Sequence, residues 1–160
     1  MIVVLMGVTG SGKTTVGEVL AAQLGWQFCD ADNLHPAQNV EKMRRGIPLT
    51  DADRIPWLEA LSNFVRECLN RNESAVIACS ALRVLYRRYL LIDETVKLVY
   101  LKGEFHLIEK RLGERRGHYM NPKLLQSQFD TLEEPEDGIT VDVAPSPEEI
   151  VRTIRSELGL

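Results

Sequence analysis

The chain is poor in the residues that mark most specialised protein classes. Its three cysteines, Cys29, Cys68 and Cys79, are an odd number with no C-x-x-C spacing, and its three histidines do not cluster. Neither a disulfide framework nor a zinc site is readable, and a reducing compartment is expected. Seven prolines and eleven glycines in 160 residues are too few for a collagenous or low-complexity chain. There is no excess of positive charge: 19 Lys and Arg stand against 23 Asp and Glu, a formal net charge of -4. That balance excludes a chain built to coat nucleic acid or an anionic membrane, so any affinity for phosphate must be local. Long apolar runs are missing too. Met1 to Met6 is apolar but ends at Gly7 and has no basic flank, so it predicts a buried strand of a cytoplasmic protein, not a signal or a membrane span. What is present is 44% hydrophobic residues at a mean hydropathy of -0.13. With no repeat or linker, that predicts one domain over residues 1–160.

Apolar runs of strand length alternate with helical patterns, the signature of an α/β fold with a parallel sheet covered on both faces. Five strands are predicted: Ile2 to Met6, Gln27 to Asp30, Ala75 to Cys79, Val96 to Leu101 and Ile139 to Val143. Helical spacing follows through Val16, Val19, Leu20 and Leu24, then Leu58, Leu61, Val65 and Leu69. It recurs in Leu82, Leu85 and Tyr89, and in Phe105, Ile108 and Leu112. Ser146-Pro147-Glu148-Glu149 is a capping box with proline at the first helical position, opening a last helix through Ile150, Ile154 and Leu158. Two stretches fall outside this alternation, 31–56 and 113–135, and are expected as insertions near the ligand.

Gly7-Val8-Thr9-Gly10-Ser11-Gly12-Lys13-Thr14 matches G-x-x-x-x-G-K-[ST] in full, between an apolar strand and an amphipathic helix. Glycines let successive backbone N–H groups curl around an anion, and the helix start adds more donors. Lys13 is expected at the β- and γ-phosphates of ATP and Thr14 on Mg2+, with Thr15 also at the nucleotide. A dinucleotide fingerprint fails because Thr15 stands where a glycine or alanine is required. The D-x-x-G and N-K-x-D motifs of GTPases are absent, leaving a small-molecule kinase ahead of a switch or a motor.

After the second strand, Asp30 and Asp32 place two carboxylates two residues apart at the ligand end. Asp30, ending the strand taken to lie beside the phosphate-loop strand, is expected to order the metal's waters. Asp32, further out, is expected to take the proton of the attacking hydroxyl. Either could instead cap a helix or close an Asx-turn.

Further segments carry a family likeness: Asp30-Ala31-Asp32-Asn33-Leu34-His35-Pro36, Asn39 with Lys42-Met43, Gly46 to Asp51 with Asp53-Arg54, and Pro56-Trp57-Leu58. Cys79-Ser80-Ala81-Leu82, Tyr86-Arg87, Tyr100 to Gly103, Arg116 to Tyr119 and Gln128-Phe129 continue it in order along the chain. Together with the phosphate loop these segments resemble the gluconate kinases. The resemblance implies a P-loop kinase fold akin to adenylate and shikimate kinases, with a five-stranded parallel sheet and a lid. It also implies transfer of the ATP γ-phosphoryl to the 6-hydroxyl of D-gluconate, by a homodimer. The chain departs from the family at Arg83, where lysine is common, at Arg88, where aspartate is common, and at Leu91, where arginine is common.

For a polyhydroxylated carboxylate the resemblance implies Arg54, Arg83 and Arg87 as cationic partners and His35, Ser80 and Gln128 as hydroxyl partners, beside Asp32. Lys110, Arg111, Arg115 and Arg116, in a segment that also holds Gly113 and Gly117, suit a lid over about 111–123 that would set a catalytic arginine against the transferring phosphoryl, with Arg111 favoured by the R-x-x-x-R spacing, Arg111 to Arg115, of related small kinases. The same cations also suit a helix C-terminus. Rival expectations are a shikimate-like or nucleoside-monophosphate kinase, and a nucleotide-dependent binding module.

Overall fold

The structure, a computed structural model, describes residues 1–114 and 122–160. Five parallel strands form one sheet: β1 (Ile2–Met6), β2 (Gln27–Asp30), β3 (Ala75–Ala78), β4 (Val96–Lys102) and β5 (Ile139–Asp142), in the order β2-β3-β1-β4-β5. Helices α1 (Lys13–Leu24), α2 (Ala37–Arg44), α3 (Asp51–Asn70), α4 (Val84–Arg87), α5 (Phe105–Glu114), α6 (Pro122–Thr131) and α7 (Pro147–Leu158) complete it.

Strand β1 is buried along its whole length, and its side chains alternate between two cores. Ile2, Val4 and Met6 join Trp57, Leu58, Leu61 and Val65 of α3. Val3 and Leu5 join Val16 and Leu20 of α1 and Ile150, Val151 and Ile154 of α7. A two-residue period feeding two apolar layers is what a central parallel strand requires. A third cluster, Val8, Leu82, Ile108, Leu112 and Leu125, props the loop after β1 on α5 and α6.

The strands appear where the apolar runs predict them, but four expectations are corrected. β2 is an edge strand with Gln27 exposed, so burial on both faces fails there. The helical face of Leu82, Leu85 and Tyr89 does not exist. Ala81 takes a φ of 44°, Arg83 is an extended N-cap so that α4 starts at Val84, and Leu85 is exposed. The insertion after β2 ends at Thr50, not Pro56, because Thr50 and Asp53 form a reciprocal capping box and α3 runs on through Pro56. Finally, β2 does not lie beside β1, since β3 pairs with both and separates them. Arg115 and most of the expected lid, including Arg116 to Tyr119, lie outside the described residues. Among the described residues, no helix is long and apolar enough to cross a membrane.

Candidate active site

The loop from Gly7 to Gly12 leaves the carboxyl end of the central strand and enters α1. Gly10 and Gly12 have φ of 79° and 94°, a region that costs L-residues about 1–2 kcal/mol. At Gly10 a Cβ would also stand 2.7 Å from Leu112 Cγ. Gly12 is the N-cap of α1 and no side chain caps that helix, so its first N–H groups face the loop. Ser11 Oγ is buried with no hydrogen-bond partner among the described residues. An uncapped helix start, an orphaned hydroxyl and two left-handed glycines fit a phosphate chain. Lys13 Nζ donates to the Val8 carbonyl at 2.9 Å, which folds the cation back over the loop. The Thr9 N–H donates to Gln128 Oε1 at 2.7 Å, so Gln128 meets the phosphate loop and not the acceptor side.

Next to the loop lies a cavity of about 310 Å³ bounded by Gly10, Gly12, Thr15, Arg111, Ala144 and Pro145. Arg111 is fixed there by donating to the carbonyls of Val143 at 2.6 Å and Ala144 at 3.1 Å. It joins α5 to the loop that precedes α7, placing a flat cation at the cavity beside the phosphate loop. A larger cavity, about 400 Å³ between α1 and α7 around Gln23, Arg152 and Arg155, contains none of the residues expected at the site.

Although β3 intervenes between β1 and β2, the start of α1 brings Thr14 to Asp30: Thr14 Oγ1 donates to Asp30 Oδ2 at 3.4 Å. The other oxygen, Asp30 Oδ1, accepts from the Asp32 N–H at 3.0 Å and caps the short 3-10 turn over Ala31–Leu34. Asp30 is thus a cap and a neighbour of Thr14 at once. An exposed hydroxyl beside a carboxylate suits Mg2+, which keeps most of its water and shares phosphate oxygens. Among the described residues no group of three His, Cys, Asp or Glu could hold a metal unaided. Asp32 stands on the open face of the site, yet surrounding protein strips water from its carboxyl. That desolvation, aided by the charge of Asp30, raises its pKa against the pull of Lys13 and His35.

Facing these groups is a wall of side chains. Asp51, in the first turn of α3, accepts from Tyr86 Oη at 2.8 Å and from Arg83 Nη1 at 3.2 Å, and its pKa is lowered chiefly by the tyrosine hydroxyl. Arg54 and Arg83 both approach the Tyr86 ring, at 5.3 and 5.6 Å from its centroid. Arg83 also pairs with Glu133 at 3.6 Å. Arg87 is 5% exposed and donates to the carbonyls of Ala81 and Glu133, so its guanidinium is engaged by main chain behind the wall. His35 stacks on Trp57, and Ser80 is half-buried where its carbonyl accepts from the Gly7 N–H. The neighbouring Cys79 thiol is fully enclosed and pushed up to about 12 by burial, which makes it inert. Asp51, Glu133 and the amide of Asn39 are site residues to which the sequence assigns no role, although Asn39 and Asp51 fall in segments that carry the family likeness. The one local signal was Thr50-x-x-Asp53, a capping box that puts Asp51 at a helix start.

Comparison with known proteins agrees with this geometry. The family model for shikimate kinase matches residues 9–158. The chain is 44% identical to the thermoresistant gluconokinase of Escherichia coli, over 94% of this chain and 89% of that protein. It is also 44% identical to the gluconokinase of Gluconobacter oxydans, over 96% and 91%. The crystal structure of a gluconokinase from Sinorhizobium meliloti superposes with a TM-score of 0.87 at 42% identity, covering 98% of this chain and 90% of that one. Shikimate kinase from Aquifex aeolicus, at 20% identity and a TM-score of 0.63, shares the fold. With such identity along nearly its whole length, the chain belongs to the gluconokinase family of P-loop kinases.

Proposed function

We propose that the enzyme transfers the γ-phosphoryl of Mg-ATP to the 6-hydroxyl of D-gluconate, giving 6-phosphogluconate and ADP. The observation that carries this reading is Asp32 within reach of the charges of Lys13 on the phosphate loop and of His35, a ring that also feels Arg54, beside the Thr14–Asp30 corner. The N–H groups of the loop and Lys13 hold the β- and γ-phosphates, while Arg111 borders the rest of the nucleotide. When bound at Thr14 and Asp30, Mg2+ neutralises charge on the phosphates. Asp32, more basic than a free aspartate, accepts the proton of the attacking hydroxyl. Arg54 and Arg83 suit the gluconate carboxylate, and His35 and Ser80 its hydroxyls. Arg87 acts from behind, setting the loop that bears Ala81. A homodimer of one-domain chains in the cytoplasm, with the insertion between β2 and α3 as the acceptor segment, completes the proposal.

Coupled detection of ADP release tests it. Gluconate should support turnover, and shikimate or nucleoside monophosphates should not, because a site built to pair hydroxyls and a carboxylate leaves buried groups unpaired with the wrong acceptor. Equal turnover with shikimate would overturn the substrate while leaving a kinase.

A further inference from the structure

Helix α2 is short and largely solvated, and its one buried residue is an amide, Asn39, 1% exposed. Its Nδ2 donates to the Asp53 carbonyl at 2.8 Å. A carbonyl only accepts, so the atom facing it is the amide nitrogen and the group cannot be turned over. The second nearby group is His35 Nδ1, 3.3 Å from the same Nδ2. An amide nitrogen has no lone pair to offer, so Nδ1 must be the acceptor, and the neutral ring then carries its proton on Nε2. Trp57 fixes the plane of that ring, with centroids 4.3 Å apart at 13°. Its own Nε1 is anchored on the Ala31 carbonyl at 2.7 Å. Asn39 Oδ1 is buried with no partner among the described residues. The amide thus acts through its nitrogen, on the Asp53 carbonyl and on His35 Nδ1.

We propose that Asn39 is a positioning residue for the acceptor: it holds His35 as the Nε2–H tautomer, so that this hydrogen is donated to a hydroxyl oxygen of the sugar acid. A hydroxyl that receives a hydrogen bond from His35 keeps its own proton free for a carboxylate. By ring geometry the Nε2–H points away from Asn39, and Asp32 and Arg54 both lie close enough for their charges to act on the imidazole. Burial and Arg54 favour the neutral ring, which the Asn39 bond requires, while Asp32 opposes them. The inference rests on gluconate phosphorylation as the reaction, but its first test does not.

That test is 15N NMR of the resting enzyme at neutral pH without any acceptor, with His35 assigned by the signal lost in His35→Gln. Nδ1 is expected to be unprotonated and Nε2 protonated; the reverse tautomer overturns the proposal whatever the substrate. In Asn39→Asp a carboxylate faces Nδ1, so at a pH where the same NMR shows the ring neutral the proton should move from Nε2 to Nδ1, and there the KM for gluconate should rise about tenfold with the KM for ATP unchanged, a factor worth one hydrogen bond. An unchanged gluconate KM in a folded variant counts against it equally. Should Asn39→Asp not fold, His35→Gln and His35→Leu replace it. The glutamine amide nitrogen stands near the Nε2 position and should keep part of the gluconate affinity that leucine loses, and equal KM values in the two would refute donation. A wrong substrate shows itself separately, as absence of ADP release from the wild type with gluconate.

Discussion

Around the phosphate loop a ligand meets main chain: Gly10 and Gly12 in left-handed conformations, the uncapped start of α1, and a floor of Leu112 and Ile108. On the acceptor side it meets side chains: Lys42 on Asp53, Arg83 and Tyr86 on Asp51, Asn39 on His35. The first kind of surface has little chemical individuality, which suits phosphates common to every ATP-dependent kinase. The second can be rewritten one side chain at a time. This division accounts for a fold shared with shikimate kinase at 20% identity and an acceptor wall that need not be shared.

If the phosphate loop itself is main chain plus one cation, Lys13, removing that cation should be the most damaging single change to chemistry and among the least damaging to folding. Lys13→Ala should cost roughly 10²–10³ in kcat, the scale of a donor aimed at developing charge. Loop shape is set by the glycines and the cluster beneath, so thermal unfolding should be nearly unchanged. A loss of less than tenfold would contradict the assignment of Lys13.

The two carboxylates sharpen the comparison, because they sit where its halves meet. Asp32→Asn removes basicity but not size, and should lower kcat by roughly 10², the low end for a general base, since phosphoryl transfer demands little of the base. In the wild type, kcat should fall as pH drops through the raised pKa of Asp32, and Asp32→Asn should flatten that limb. Asp30→Asn should instead raise the Mg2+ needed for half-maximal rate. A magnesium shift appearing in Asp32→Asn and not in Asp30→Asn would exchange the two roles.

What could be foreseen from the amino acids follows the same line. The phosphate loop and the Ser146–Glu149 box are local patterns, complete within eight and four residues, and both stand as expected. The contacts of the acceptor wall are not local: Tyr86 and Asp51 are separated by 35 positions and Arg87 and Glu133 by 46. Strand order is also silent in the local pattern: β2 pairs with β3 and not with β1, while the contact of Asp30 with Thr14 does not depend on that order. Arginines were legible as cations, but whether a guanidinium faces ligand or main chain depends on burial, as Arg87 shows.

Arg87 therefore separates structure from binding. Arg87→Met should destabilise the fold by about 2–4 kcal/mol, by stranding the Ala81 and Glu133 carbonyls. Denaturant unfolding measures this. A variant of wild-type stability with a raised gluconate KM would move Arg87 from behind the wall to its face.

The smallest expected effect concerns Asp53, which closes the Thr50 capping box and pairs with Lys42 at 2.9 Å. Its pKa falls from 3.8 to about 2, chiefly through the Lys42 hydrogen bond and then the Thr50 N–H. Because the folded pKa lies below the unfolded one, the carboxylate stabilises the fold fully above pH 3.8, and that contribution fades as pH falls towards about 2. Asp53→Asn can keep part of the cap but not the ion pair. The stability gap between wild type and variant should be constant above about pH 5, narrow through the acid range and vanish near pH 2. Added salt should narrow it at neutral pH as well, since both partners touch solvent. A gap independent of both pH and salt would mean that Asp53 acts only as a neutral cap, and that the charge on Lys42 contributes nothing to holding α2 against α3.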